Sequence, residues 1–116
     1  MIKFDEQKQL DSVAGALAIR KEIEGIAADV AGRGYKNICY LGIGGTYASA
    51  LQTQNHVQEY SGMEIIAQNA ALYNTTGNRR IGKDTVIVLS SVTGTTQEVV
   101  AAVEKAKAQG AVVIGF

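Results

Sequence analysis

Apolar positions fall along this chain in two rhythms. Between residues 5 and 32 they recur at steps of three and four, through Leu10, Val13, Ala14 and Leu17 and then Ile19, Ile23, Ile26, Ala27 and Val30, a spacing that predicts helix. Gly15 and Gly25 weaken this run and leave room for two helices, and Gly32-Arg33-Gly34 closes it with C-cap chemistry. From Asn37 onward the rhythm changes. Short, nearly unbroken apolar runs at 37–43, 63–67, 85–89 and 111–116 alternate with helical patterns at 46–60 and 96–109. Strands with that continuity are buried on both faces, the mark of a parallel sheet.

The expected fold class is therefore α/β: an open parallel sheet of at least four strands in a flavodoxin-like, three-layer α/β/α arrangement, preceded by the N-terminal helix or helices. Residues 1–34 read as a helical lead and 35–116 as the α/β domain. In the common strand order 2-1-3-4, strands one and three are neighbours whose connections leave on opposite faces, and ligands bind outside the strand ends at that switch point. Both unusual loops of the chain, 42–46 and 90–96, are expected there. Between them, residues 68–77 predict one helical turn followed by loop, and 78–84 a polar, basic connection. The last strand has no following helix, so the domain is expected to continue beyond it and to expose apolar surface that favours self-association, at least to a dimer.

The 90–96 loop carries the chemistry. An apolar run ends at Leu89, and Ser90, Ser91, Thr93, Thr95 and Thr96 then place five hydroxyls within seven residues around Gly94. The first amides of the helix that follows lack intrahelical acceptors and carry the positive end of its dipole, so an anion suits this corner. The short hydroxyls add neutral donors, and Gly94 lets the backbone approach closely. Thr95 and Glu98 have the spacing of an S/T-x-x-E capping box, expected here alongside any ligand.

Charge sharpens the picture by balancing. Lysine plus arginine and aspartate plus glutamate each number 11, so no global field draws nucleic acid or an anionic membrane, and any anion must be held by local geometry. No apolar run reaches the ~20 residues that span a bilayer, and residues 1–6 carry no signal-peptide pattern. With the single Cys39 inside a strand, no disulfide framework exists, and a cytoplasmic home with a buried, inert thiol is expected. One cysteine and one histidine cannot build a usual zinc site. His56 falls nearly three turns along its helix from Thr46, about 15 Å away, and reads as a surface or interface residue.

Two nucleotide-type strings fail on inspection. Gly42-Ile43-Gly44-Gly45-Thr46-Tyr47 begins like a dinucleotide fingerprint but has Tyr47 where a third glycine belongs, and Gln68-Asn69 stands where a ribose-binding acid is needed. In Gly77-Asn78-Arg79-Arg80-Ile81-Gly82-Lys83-Asp84, Asp84 replaces the magnesium-binding hydroxyl of a Walker A loop, and the string precedes its strand. Arg79, Arg80 and Lys83 are read as a solvated loop. No cofactor is expected. No serine-histidine-acid set or carboxylate pair meets at the crevice, where Glu98 is the only acid.

Gly44-Gly45-Thr46-Tyr47 after the first strand and Ser91-Val92-Thr93-Gly94-Thr95-Thr96-Gln97-Glu98 after the third resemble the SIS (sugar isomerase) phosphosugar-binding domain. That family reads G-x-S/T-x and S-x-S-G-x-T-x-D/E at these places, and the resemblance spans residues 35–116. It implies that Thr46, Ser91, Thr93 and Thr96 offer phosphate-gripping hydroxyls and that Gly45, Val92 and Gly94 offer backbone. Thr93 replaces the usual serine, keeping the donor and adding a methyl group. Relatives often carry a Glu-aromatic pair after the second strand, where this chain has Leu72-Tyr73.

The helical lead and residues 69–76 look most similar to the two-SIS-domain group of glucosamine-6-phosphate synthase isomerase domains and fructosamine 6-phosphate deglycases. The resemblance thus implies the N-terminal part of an isomerase, deglycase or aminotransferase-type protein acting on a sugar 6-phosphate or its amino derivative, by proton shuttling through an enediol or enamine. Its acid-base groups would come from a second domain or a neighbouring subunit. The alternative is a sugar-phosphate-sensing domain of a transcriptional repressor, against which residues 5–32 are not basic and form no three-helix recognition unit.

Overall fold

The structure is a computed structural model that describes residues 3–116. It divides into two units at Arg33 and Gly34. The N-terminal unit holds α1 (Glu6–Ala18) and α2 (Arg20–Arg33). Asp5 caps α1 by accepting from the Lys8 amide at 3.0 Å. The interruption falls at Ile19, where ψ is 3°, and at neither glycine. Glycine costs a helix only about 1 kcal/mol, too little to stop it. Leu10, Val13, Leu17, Ile23 and Ile26 are exposed.

The second unit runs β1 (Asn37–Gly42), α3 (Gly45–Tyr60), β2 (Ile65–Asn69), α4 (Ala70–Thr76), β3 (Thr85–Leu89), α5 (Gln97–Ala108) and β4 (Val112–Gly115). All pairings are parallel and the strand order is β2-β1-β3-β4, the order expected from the sequence. Alternation along each strand sorts the side chains between two faces. Cys39, Leu41, Ile66, Ile87 and Leu89 join Ala70 and Tyr73 of α4 and Val99, Ala102 and Ala106 of α5 in one buried cluster. The opposite face of β1 and β2 packs against α3.

Several local expectations shift. The second strand lies two residues later than the apolar run suggests. Polar Gln68 and Asn69 continue the ladder opposite Leu41 and Gly42, because the buried Gln68 amide is satisfied by the Asn69 carbonyl and by Asn78. Residues 70–76 form a full helix and not a single turn. Asn69 caps it from the Leu72 amide at 3.1 Å, and Gly77, with φ 69°, ends it. On α3, Ala50 is buried but Leu51 is 41% exposed; on α5, Val100 is also 41% exposed while Ala102 is buried. Both exposed residues directly follow an inward one, about 100° around the helix.

Arg79, Arg80 and Lys83 are all exposed, as a solvated loop requires. Arg80 pairs with Glu64, and its guanidinium holds the Glu64 carboxyl below its usual pKa. The Lys83 stem lies against Gly110.

Candidate functional site: a hydroxyl-lined cleft at the sheet corner

Leu41 and Leu89 are register partners at the carboxyl ends of β1 and β3, so the two loops leave the sheet side by side. They enclose a cavity of about 160 Å³ lined by Ile43, Thr46, Ser90, Ser91, Val92, Thr93, Thr96 and Val99. Five of the seven residues named from the sequence thus meet in one place. Gly45 and Gly94 do not line it. Gly45 opens α3, and Gly94 adopts φ 67°, a left-handed conformation that turns the hydroxyl loop toward α5.

The first corner is set by Gly42. A Cβ there would lie 2.6 Å from the Thr46 carbonyl carbon and the Tyr47 amide nitrogen, so only a residue without one lets α3 begin against the end of β1. Thr46 then locks the turn: its hydroxyl accepts from the Ile43 amide at 3.0 Å and donates to the Ile43 carbonyl at 2.9 Å. Thr46 therefore lines the cavity with its proton already committed. Its own amide, and those of Gly45 and Tyr47, carry no hydrogen bond among the described residues.

The second corner keeps its donors. Ser91 Oγ accepts from the Gly94 amide at 2.9 Å, and Thr93 Oγ1 from the Thr95 amide at 3.3 Å. Each hydroxyl has one proton and two lone pairs, so both protons stay free. Ser91 is further anchored through its amide to the Phe116 carbonyl at 3.1 Å. The amides of Val92, Thr93, Thr96, Gln97 and Glu98 make no protein hydrogen bond among the described residues.

The capping box expected from Thr95 and Glu98 does not form. Thr96 is the N-cap and makes no side-chain cap bond. The tight Gly94 turn delays the helix by one residue, which puts Glu98 second in the helix, out of register for reciprocal capping. The Thr95 amide goes to Thr93 instead. An unused cap leaves the first α5 amides without a side-chain acceptor.

Ser90 also lines the cavity, although it lies outside the S-x-S-G-x-T pattern, and Tyr40 reaches it at 3.3 Å. Ile43 and Val99 supply apolar wall. The signal for Ser90 lay in the hydroxyl run itself. That for Tyr40 needed the register, which pairs it with Val88, two residues before Ser90. No lysine, arginine, histidine, aspartate or glutamate lines the cavity. His56 is exposed beside Tyr60, ring centroids 4.9 Å apart. Among the described residues no cluster of potential metal ligands occurs, and no helix is long and apolar enough to cross a membrane.

Comparison with known proteins agrees with this fold. A comparison with curated protein sequences gave no match. Among solved structures, a candidate phosphosugar isomerase from Salmonella typhimurium superimposes with a TM-score of 0.70 at 26% identity, covering 78% of this chain and 28% of that one. A candidate phosphosugar isomerase from Bacillus subtilis gives 0.71 at 22% identity, over 82% and 29%. A candidate sugar-phosphate isomerase from Listeria monocytogenes gives 0.66 at 20% identity, over 97% and 65%. The chain thus spans under a third of the first two proteins and about two thirds of the last. The SIS domain profile matches residues 33–116. This chain belongs to the SIS domain family.

Proposed function

We propose that the cleft holds the phosphate group of a sugar phosphate, with Ser91, Thr93 and Thr96 donating hydroxyl protons and Val92, Gly45 and Thr46 contributing backbone amides, while the Gly94 amide, expected from the sequence to join them, is spent on Ser91 Oγ and shapes the loop. The carrying observation is the conjunction of free hydroxyl protons and uncommitted α5 amides around one small cavity. Its volume of about 160 Å³ is well below the ~300–1,000 Å³ of sites that engulf a whole ligand. The cleft suits the anionic end of a molecule, and the sugar body lies outside it. SIS membership and the 26% identical phosphosugar isomerase support the same ligand class.

Thr46 keeps its hydroxyl on Ile43 in this reading, so its share is the amide. The corner then acts as an anchor whose binding energy positions a distant reacting carbon. With no acid or base lining the cavity, the chemistry of an isomerase, deglycase or aminotransferase acting on a sugar 6-phosphate falls to groups outside it. Calorimetry with glucose 6-phosphate, fructose 6-phosphate and their 2-amino derivatives tests the proposal: binding that inorganic phosphate displaces supports it, and no heat with any member of the panel overturns it.

A further inference from the structure

We propose that Ser90 is a further anion-binding residue of this cleft and that Tyr40 is the positioning residue that aims it; the inference rests on the phosphate reading above. Side chains alternate along β3, and Leu89 turns into the cluster beneath α4 and α5. Ser90 therefore continues on the other face, the one shared by Tyr40. There it lines the cavity together with Ile43, Thr46, Thr93 and Thr96. It brings a donor to the wall where Thr46 has none to spare.

Tyr40 does not line the cavity, and its hydroxyl lies 3.3 Å from Ser90 Oγ. A phenol is more acidic than an aliphatic alcohol, so the favoured direction has Tyr40 donating and Ser90 accepting. Serine carries a single proton. With one lone pair occupied by Tyr40, and no other protein partner among the described residues, that proton is directed to an acceptor in the cleft. A proton donated along such a chain is polarised by the bond behind it.

A double-mutant cycle read by titration with inorganic phosphate tests the pair. Ser90→Ala and Tyr40→Phe should each weaken binding by about three- to tenfold without lowering the thermal midpoint. Tyr40→Phe should add nothing in the Ser90→Ala background, because its effect runs through Ser90, and Ser90→Thr should retain most of the affinity. Independent, multiplying losses overturn the positioning role, as does a loss seen only with a sugar phosphate and not with inorganic phosphate. If Thr93→Val loses affinity while both new variants bind like the parent chain, this inference falls and the phosphate reading stands. If the parent chain binds no phosphate, both fall.

Discussion

Ser91 and Thr93 each give a lone pair to an amide of their own loop and keep a free proton. In the proposed binding mode, removing either hydroxyl costs a ligand contact as well as loosening the loop. Thr93→Val and Ser91→Ala should each weaken sugar-phosphate binding by about 1–3 kcal/mol, and undiminished affinity in both by calorimetry would count against the assignment. Gly42 acts through space, not chemistry. Gly42→Ala must displace backbone at the start of α3, which should destabilise the fold by about 1–3 kcal/mol in urea unfolding and weaken phosphate binding with it. A parent-like unfolding midpoint would show that the corner yields more easily than the contact distances imply.

At the level of elements, α4 has only seven residues, too short to hold itself together. It survives by attachment. Tyr73 is fully buried with its hydroxyl on Gln109 at 2.5 Å, and Lys105 reaches from α5 to the Tyr73 and Asn74 carbonyls at 2.8 and 3.2 Å. That ammonium joins the Gly77 amide on the Tyr73 carbonyl, gives the Asn74 carbonyl a donor and meets the negative pole of the helix dipole. In return, Asn74 donates to the Glu98 carbonyl in the first turn of α5 at 2.9 Å. Lys105→Met keeps most of the stem and should cost about 1–2 kcal/mol of stability, measured by chemical denaturation. A loss within error would mean that Tyr73 alone suffices to hold α4.

On the scale of the whole chain, positive and negative charges cancel and the cavity lining is uncharged. Anion binding that relies on fixed dipoles and short hydroxyls has little long-range attraction to screen. Raising the ionic strength tenfold with a bulky, weakly competing salt should change phosphate affinity by less than about threefold; a steep dependence would point to a lysine or arginine entering the site.

Cys39 reports on the core in the opposite manner. Burial pushes its thiol up to about 12, above the ~8.5 of an unfolded cysteine. The folded chain holds that proton where the unfolded chain would release it. The contribution to stability is therefore complete below about pH 8.5 and is lost progressively as pH rises toward 12. Urea midpoints should fall between about pH 8 and pH 10, less so in Cys39→Ala. Tyr73, also raised by burial, adds to the fall at higher pH. Equal slopes in the two proteins would show that the thiol contributes nothing.

The order of strands and helices was written in local pattern, because continuous apolar runs, turn glycines and helical spacing are short-range features. The hydroxyl loop was legible for the same reason: its donors sit within seven consecutive residues. What pattern could not supply was the consequence of packing. Register alone set Tyr40 behind Ser90 and carried β2 through Gln68 and Asn69, since a polar residue enters a strand only when partners from elsewhere satisfy it. The Gly94 turn moved the start of α5 by one residue and dissolved the Thr95 to Glu98 cap. The close approach of α3 to β1 spent the Thr46 proton on Ile43. Which hydroxyls remain free to bind is thus a property of the assembled corner, because a proton's partner depends on distances that only the folded chain defines.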